Sequence, residues 1–186
     1  LTHLQLTTTQ TTMRRRSKAC LLLIPLVLML ASAVACRHYN LYVNLTSSLP
    51  RGVYQLFPEE KITRGDVVLV VDLDEIGVDR ALCPYRGLLK QAAAFGGDAI
   101  DSDGKHIFVN GRKLSYSDLF TRDKYGKDLP QQKYPYIVPD GSVYLTSQHK
   151  YGYDSRYYGP ISIEHIAGKA RLIFSFSNNP VKNEHQ

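Results

Sequence analysis

From Ala19 to Cys36 the chain runs for eighteen residues without a charge, dense in Leu, Val, Ile and Ala. In a helix that run spans roughly 27 Å, close to a hydrocarbon thickness of about 30 Å. It divides the sequence into residues 1–18, a basic N-terminus, residues 19–36, a membrane segment, and residues 37–186, a domain beyond it. Arg14, Arg15, Arg16 and Lys18 stand just before the run, and residues 1–36 hold no acid. A cationic flank of this kind predicts a cytoplasmic N-terminus and a chain sent across the membrane. Met13 opens the basic run and is read as the point where translation begins, with a non-standard start at Leu1 as the alternative.

The same charges settle what the net +6 means. Four of the 23 basic residues lie before the apolar run, which leaves 19 against 17 acidic ones beyond it. That domain is too balanced to track nucleic-acid phosphates. A retained anchor is the favoured reading of residues 19–36, because the run exceeds the 7–15 residues of a usual signal core. The alternative is a cleaved signal peptide, since Ala31-Ser32-Ala33 and Ala33-Val34-Ala35 both satisfy a small-x-small rule. A lipoprotein site at Cys36 is weaker, because Ala33 stands where a larger aliphatic residue is usual. Cys20 falls inside the apolar run, so Cys36 and Cys83 either form one disulfide or remain thiols.

Beyond the membrane segment the pattern is that of short strands. Gly52–Phe57, Asp66–Val71, Ser142–Ser147 and Ala170–Phe176 mix β-branched, aliphatic and aromatic residues. His106–Val109 and Arg112–Leu114 flank Asn110-Gly111, the pair that a type I′ hairpin turn demands. Only Asp74–Leu82 suggests a short helix, and Ser115–Gln132 reads as a polar loop or small excursion. Strands punctuated by Gly, Pro and Asn predict a mostly β, barrel-like single domain.

Three segments carry chemistry. In the first, Asn44 to Tyr54, a serine precedes an x-Pro-x-Gly turn that exposes its hydroxyl beside backbone donors. Alone, it equally fits a Ser/Thr-rich stalk. In the second, Lys90 interrupts an apolar strand that runs from Leu88 to Phe95. If it points inward, desolvation favours the neutral amine, a general base; otherwise it snorkels to solvent. In the third, Asp154 and Arg156 stand two apart on a segment read as extended, placed to form an ion pair that locks a loop. The six histidines show no metal-ligand spacing, and no phosphate-binding glycine loop follows a strand, so neither metal nor cofactor is expected.

In this order, and after an N-terminal anchor, the segments resemble the type I signal peptidases, and within them the TraF-type branch of conjugative transfer systems. Asn44, Thr46, Ser48, Pro50, Gly52 and Tyr54 fit the branch pattern Asn-x-Thr-x-Ser-x-Pro-x-Gly-x-Tyr at every position. Gly65 to Val68, Cys83-Pro84 before Leu88-Leu89-Lys90, and Asp154 to Pro160 follow in the family's order. The resemblance implies a signal-peptidase-like (LexA-like) β-barrel or sandwich and a Ser/Lys dyad. Ser48 would be the nucleophile and Lys90 the general base, with Ser47 the alternative nucleophile. The Ser48 N–H, with Ser47 or Thr46 as a helper, would meet the oxyanion, and Asp154, Ser155 and Arg156 would support the site.

Two residues depart from the pattern. Gly96 replaces a proline before Gly97-Asp98, which predicts a looser turn. Gly152 replaces a serine that orients the lysine, a role that Ser147, Ser155 or a water would have to take over.

The function implied is that of a serine endopeptidase of the inner membrane with its catalytic domain in the periplasm. About a dozen residues separate Cys36 from Ser48, which predicts a site at the bilayer surface. The substrate implied is a pilin-like precursor or another part of the conjugation apparatus, bound as an extended strand with small residues near the cut. The competing readings are a general signal peptidase and a catalytically silent envelope assembly module.

Overall fold

The computed structural model describes residues 24–34, 38–79 and 87–176. The chain divides into two units, Leu1–Leu41 and Tyr42–Gln186. In the first, residues 24–34 are helical and exposed. Among the described residues no helix is long and apolar enough to cross a membrane. Residues 19–23, 35 and 36 of the span expected over 19–36 lie outside the described residues, as do Cys20, Cys36 and Cys83 with their pairing, Pro84, and the basic run 14–18.

Among the described residues, the second unit is built on eleven strands in two sheets. One sheet has the order β1-β2-β11-β3-β4-β9-β10. Its strands are β1 Leu41–Asn44, β2 Gly52–Phe57, β3 Val67–Val70, β4 Leu88–Phe95, β9 Ser142–Thr146, β10 Ile161–Ser162 and β11 Ile166–Ser175. The other has the order β7-β6-β5-β8, from β5 Ala99–Ser102, β6 His106–Val109, β7 Arg112–Asp118 and β8 Tyr136–Ile137. Pairing is antiparallel from β2 to β10 in the first sheet and throughout the second. The mostly β fold expected from the strand pattern is the one observed.

Strand β4 joins the two sheets and the three apolar clusters. Leu88 and Ala92 pack with Val68, Val70, Val143 and Leu145. Leu89 packs on the other face with Leu49, Tyr54 and Leu69. A register shift between Ala92 and Ala94 breaks the alternation, so Ala93 and Ala94 both join Ile100, Ile107, Val109 and Tyr144 in the cluster of the second sheet. After β4 the chain turns at Gly96-Gly97 into β5. Asp98 holds that turn, accepting from Phe95 N at 2.7 Å, Asn110 Nδ2 at 2.7 Å and Arg64 Nη2 at 2.8 Å. Gly96 therefore does not loosen it. A side chain there would also press on the Asp140 backbone, 2.8 Å from its Cα.

Asn110 and Gly111 both take positive φ, 50° and 76°, as the hairpin expectation requires. Strand β7 runs past the expected Leu114, because a register shift and positive φ at Tyr116 let the ladder continue to Asp118. Part of the expected loop is thus strand. The helix expected over Asp74–Leu82 is absent from its described part, residues 74–79. There Gly77 N bonds Asp74 O and Val78 N bonds Leu73 O, and Gly77 sits at φ 72°, which closes a turn and stops a helix.

Gly52 carries the tightest approach of β2 to β11, since a Cβ there would overlap the Phe174 carbonyl oxygen. Gly52→Ala should cost about 1–3 kcal/mol, as overpacking does. A lower midpoint in chemical denaturation checks this, and an unchanged midpoint contradicts it.

Candidate active site

Ser48 sits on the loop between β1 and β2. Leu49, 3% exposed, anchors that loop in the cluster around Tyr54 and Leu89. Tyr54 Oη donates to Pro50 O at 2.8 Å, and burial pushes its hydroxyl pKa up to about 12, so the donor stays protonated. The Asn44 amide bonds the loop on both sides of Ser48: Oδ1 accepts from Thr46 N at 3.0 Å, and Nδ2 donates to Leu49 O at 3.2 Å. These contacts give physical content to the spacing Asn44, Thr46, Ser48, Pro50, Gly52, Tyr54.

Lys90 lies on β4, an interior strand of the first sheet, paired with Val68 of β3. Strand alternation puts its side chain on the face of Leu88 and Ala92, and it is 1% exposed. It does not snorkel. Lys90 Nζ donates to Ser48 Oγ at 3.1 Å, so residues 42 apart in sequence meet. They open onto a cavity of about 190 Å³ lined also by Thr46, Ser47, Leu88, Tyr153 and Tyr157.

The Ser48 carbonyl accepts from Gln148 N at 2.8 Å, which docks the loop onto the segment after β9. The Ser48 N–H has no acceptor among the described residues. It is the backbone donor available to an oxyanion. Thr46 also lines the cavity, but its hydroxyl donates to Asn44 Oδ1 at 2.7 Å. Ser47 lines the cavity and is exposed.

Asp154 and Arg156 form the expected ion pair with both side chains fully buried. Their backbone is not extended as read from the sequence. Asp154 caps the α-helix Ser155–Tyr158, and its carboxylate accepts from Arg156 N at 3.2 Å. That helical turn folds the guanidinium back onto the carboxylate, with Nε to Oδ1 and Nη2 to Oδ2 both at 2.8 Å. Arg156 also donates to Asp118 O at 2.7 Å, Gly152 O at 2.9 Å and Lys150 O at 3.3 Å. Burial works against the guanidinium charge, and the Asp154 carboxylate outweighs it, holding the Arg156 pKa above its usual value. Ser155 accepts from Leu145 N at 2.9 Å, which ties the helix to β9.

Gly152 finds its explanation in Ser147. A Cβ on Gly152 would fall on Ser147 Oγ and stand 2.6 Å from Ser147 Cβ, so the Ser147 hydroxyl fills the room a side chain at 152 would take. Ser147 Oγ and Ser147 N each donate to Asp154 Oδ2 at 2.9 Å. Continuing the register Gln91↔Thr146 by one residue places Ser147 opposite Lys90.

Sequence reasoning missed the far wall. Phe120, Asp123, Lys124, Tyr125 and Leu129, all within the stretch read as an excursion, line the same cavity. That stretch closes on itself through Leu129 N to Thr121 O at 2.9 Å and Asp123 N to Lys127 O at 2.8 Å. Lys127 bridges to Asp79 at 3.1 Å. Its polar composition gave no sign of this. His149 and Tyr151 also face the cavity.

A serine hydroxyl hydrogen-bonded to a buried lysine, at a cleft in a mostly β domain, is an arrangement in which an amine could activate a nucleophile. The chain belongs to the signal peptidase family, peptidase S26, whose family model matches residues 13–175. Among its relatives is the conjugal transfer protein TraF of Agrobacterium fabrum (strain C58), 30% identical over 152 residues, covering 72% of this chain and 82% of the relative. The probable conjugal transfer protein TraF of Sinorhizobium fredii (strain NGR234) is 29% identical over 184 residues, covering 90% and 95%. A solved signal peptidase I from Enterococcus faecalis V583 aligns with 59% of this chain and 97% of its own, at 16% identity and a TM-score of 0.37.

Three substitutions test this packing. Gly152→Ser alone should destabilise the fold, and adding Ser147→Gly should recover most of the loss. Thermal unfolding of the single and double variants checks it, and additive losses contradict it. Asp154→Ala, which leaves a buried guanidinium unpaired, should cost about 3–5 kcal/mol in denaturant unfolding.

Proposed function

We propose that this protein is a membrane-anchored serine endopeptidase that processes a precursor protein, a pilin-like subunit, during conjugative transfer. The observation that carries the reading is the 3.1 Å contact between Ser48 Oγ and a lysine Nζ that is 1% exposed. Burial disfavours the charged form of an amine, so the amine can take a proton from the neighbouring hydroxyl.

In the proposed reaction neutral Lys90 accepts the Ser48 proton as Oγ attacks the scissile carbonyl carbon. The resulting oxyanion takes a hydrogen bond from Ser48 N–H. Lys90 then passes the proton to the leaving amine, the C–N bond breaks, and an acyl ester on Ser48 remains. Water, deprotonated by Lys90, hydrolyses that ester and restores the serine. Asp154 and Arg156 touch no reacting atom in this scheme and hold the cleft loops in place.

Family membership supports the peptidase chemistry, and the names of the Agrobacterium and Sinorhizobium relatives support conjugation as the setting. Arg14 to Lys18 and the apolar run 19–36 support an anchor in the inner membrane with a periplasmic catalytic domain. Gly152 is the one feature favouring a silent assembly module; the Ser147 hydroxyl occupies the room beside it and donates to Asp154.

The test is processing of a co-expressed pilin precursor. Ser48→Ala should abolish it, and Lys90→Ala should slow it by about 10²–10⁴-fold, the usual contribution of a general base. Full processing by both variants contradicts the assignment. Loss in Ser47→Ala with retention in Ser48→Ala moves the nucleophile to Ser47.

A further inference from the structure

We propose that Asn44 is a positioning residue for the reaction, holding Ser48 so that its N–H is preset to meet the oxyanion. The inference rests on the Ser48/Lys90 reading above. Asn44 is 2% exposed and directs its whole amide into the loop that follows it. Oδ1 accepts from Thr46 N at 3.0 Å and Thr46 Oγ1 at 2.7 Å. Nδ2 donates to Leu49 O at 3.2 Å and Pro50 O at 3.1 Å, with Thr46 O at 3.4 Å. One side chain therefore fixes the backbone two residues before Ser48 and one and two residues after it.

The bonds leave a particular pattern at Ser48. Its carbonyl is taken by Gln148 N, and its N–H bonds no group among the described residues. Ser48 is half-buried and lines the cavity, so the direction of its N–H depends on how the loop around it is held. Asn44 supplies that fixing. The same amide also accepts from the Thr46 hydroxyl, so that side chain is held with the loop.

Positioning is separable here from docking. Leu49 lies in the apolar cluster, and Tyr54 Oη bonds Pro50 O independently of the amide. The loop stays in place without Asn44 and loses only its local torsions. Catalysis by preset donors is lost when the donor must reorganise in each turnover, whereas binding of the extended substrate is not.

The experiment is single-turnover processing of a purified pilin precursor by the full-length protein, with enzyme concentration varied to separate the maximal rate from half-saturation. Asn44→Ala should lower the maximal rate by about 100-fold, the scale of one lost oxyanion donor, with half-saturation unchanged within about twofold. Thr46→Val keeps the side-chain shape and removes one bond to the amide, so it should give a smaller fall of the same kind. If Asn44→Ala does not fold, Thr46→Val decides: a slower maximal rate supports positioning, and a wild-type rate overturns it. Folded variants with wild-type rates, or with weakened half-saturation alone, overturn the inference while leaving the peptidase reading intact. A wild-type protein that leaves the precursor uncut contradicts that reading, and the inference falls with it.

Discussion

Burying a lysine amine is the constraint around which this domain is arranged. An ammonium taken out of water loses its hydration, and a fold tolerates that only where the group has a partner or gives up its charge. Lys90 sits on β4, an interior strand of the seven-stranded sheet between β3 and β9, and is 1% exposed. Apolar clusters on both faces of β4 fix its direction. The Ser48 hydroxyl reaches it from the loop ahead of β2, three strands away in the sheet order, so nucleophile and base are held by different elements and meet only in the folded domain.

The second organising interaction is the Asp154–Arg156 pair. A buried ion pair is weak evidence for stability as such, but this one has more bonds than the pair alone. The guanidinium reaches three backbone carbonyls, at 118, 150 and 152, and the carboxylate takes both polar groups of Ser147. The end of β7, the end of β9 and the turn at 149–152 are thereby tied to one point. These are the segments that border the cleft, and Gln148 carries the tie onward to the Ser48 carbonyl.

What the sequence made legible follows from how local each cause is. The Asn110-Gly111 hairpin and β2 were readable because turn chemistry and β-propensity act within a few residues. Ser48 and Lys90 were readable as nucleophile and base through the resemblance that the ordered motifs carry, not from either segment alone. The Ser147 hydroxyl in the space beside Gly152 was not, because it depends on two backbone segments approaching each other. The amide of Asn44 stood in plain view within the motif, yet its role needs the path of the loop. The helix expected over 74–82 failed at Gly77, where a closed turn outweighed a short helical pattern. The polar stretch after β7 became a cavity wall for a reason no composition carries, its placement over the cleft.

The central claim is that Ser48 is the nucleophile activated by the buried amine. Its most direct test is mass-spectrometric mapping of the adduct formed when the protein meets a serine-reactive peptide phosphonate. The account predicts one phosphonylated residue, Ser48, with labelling suppressed in Lys90→Ala. Labelling at Ser47, or labelling of Ser48 at an equal rate without Lys90, would contradict it.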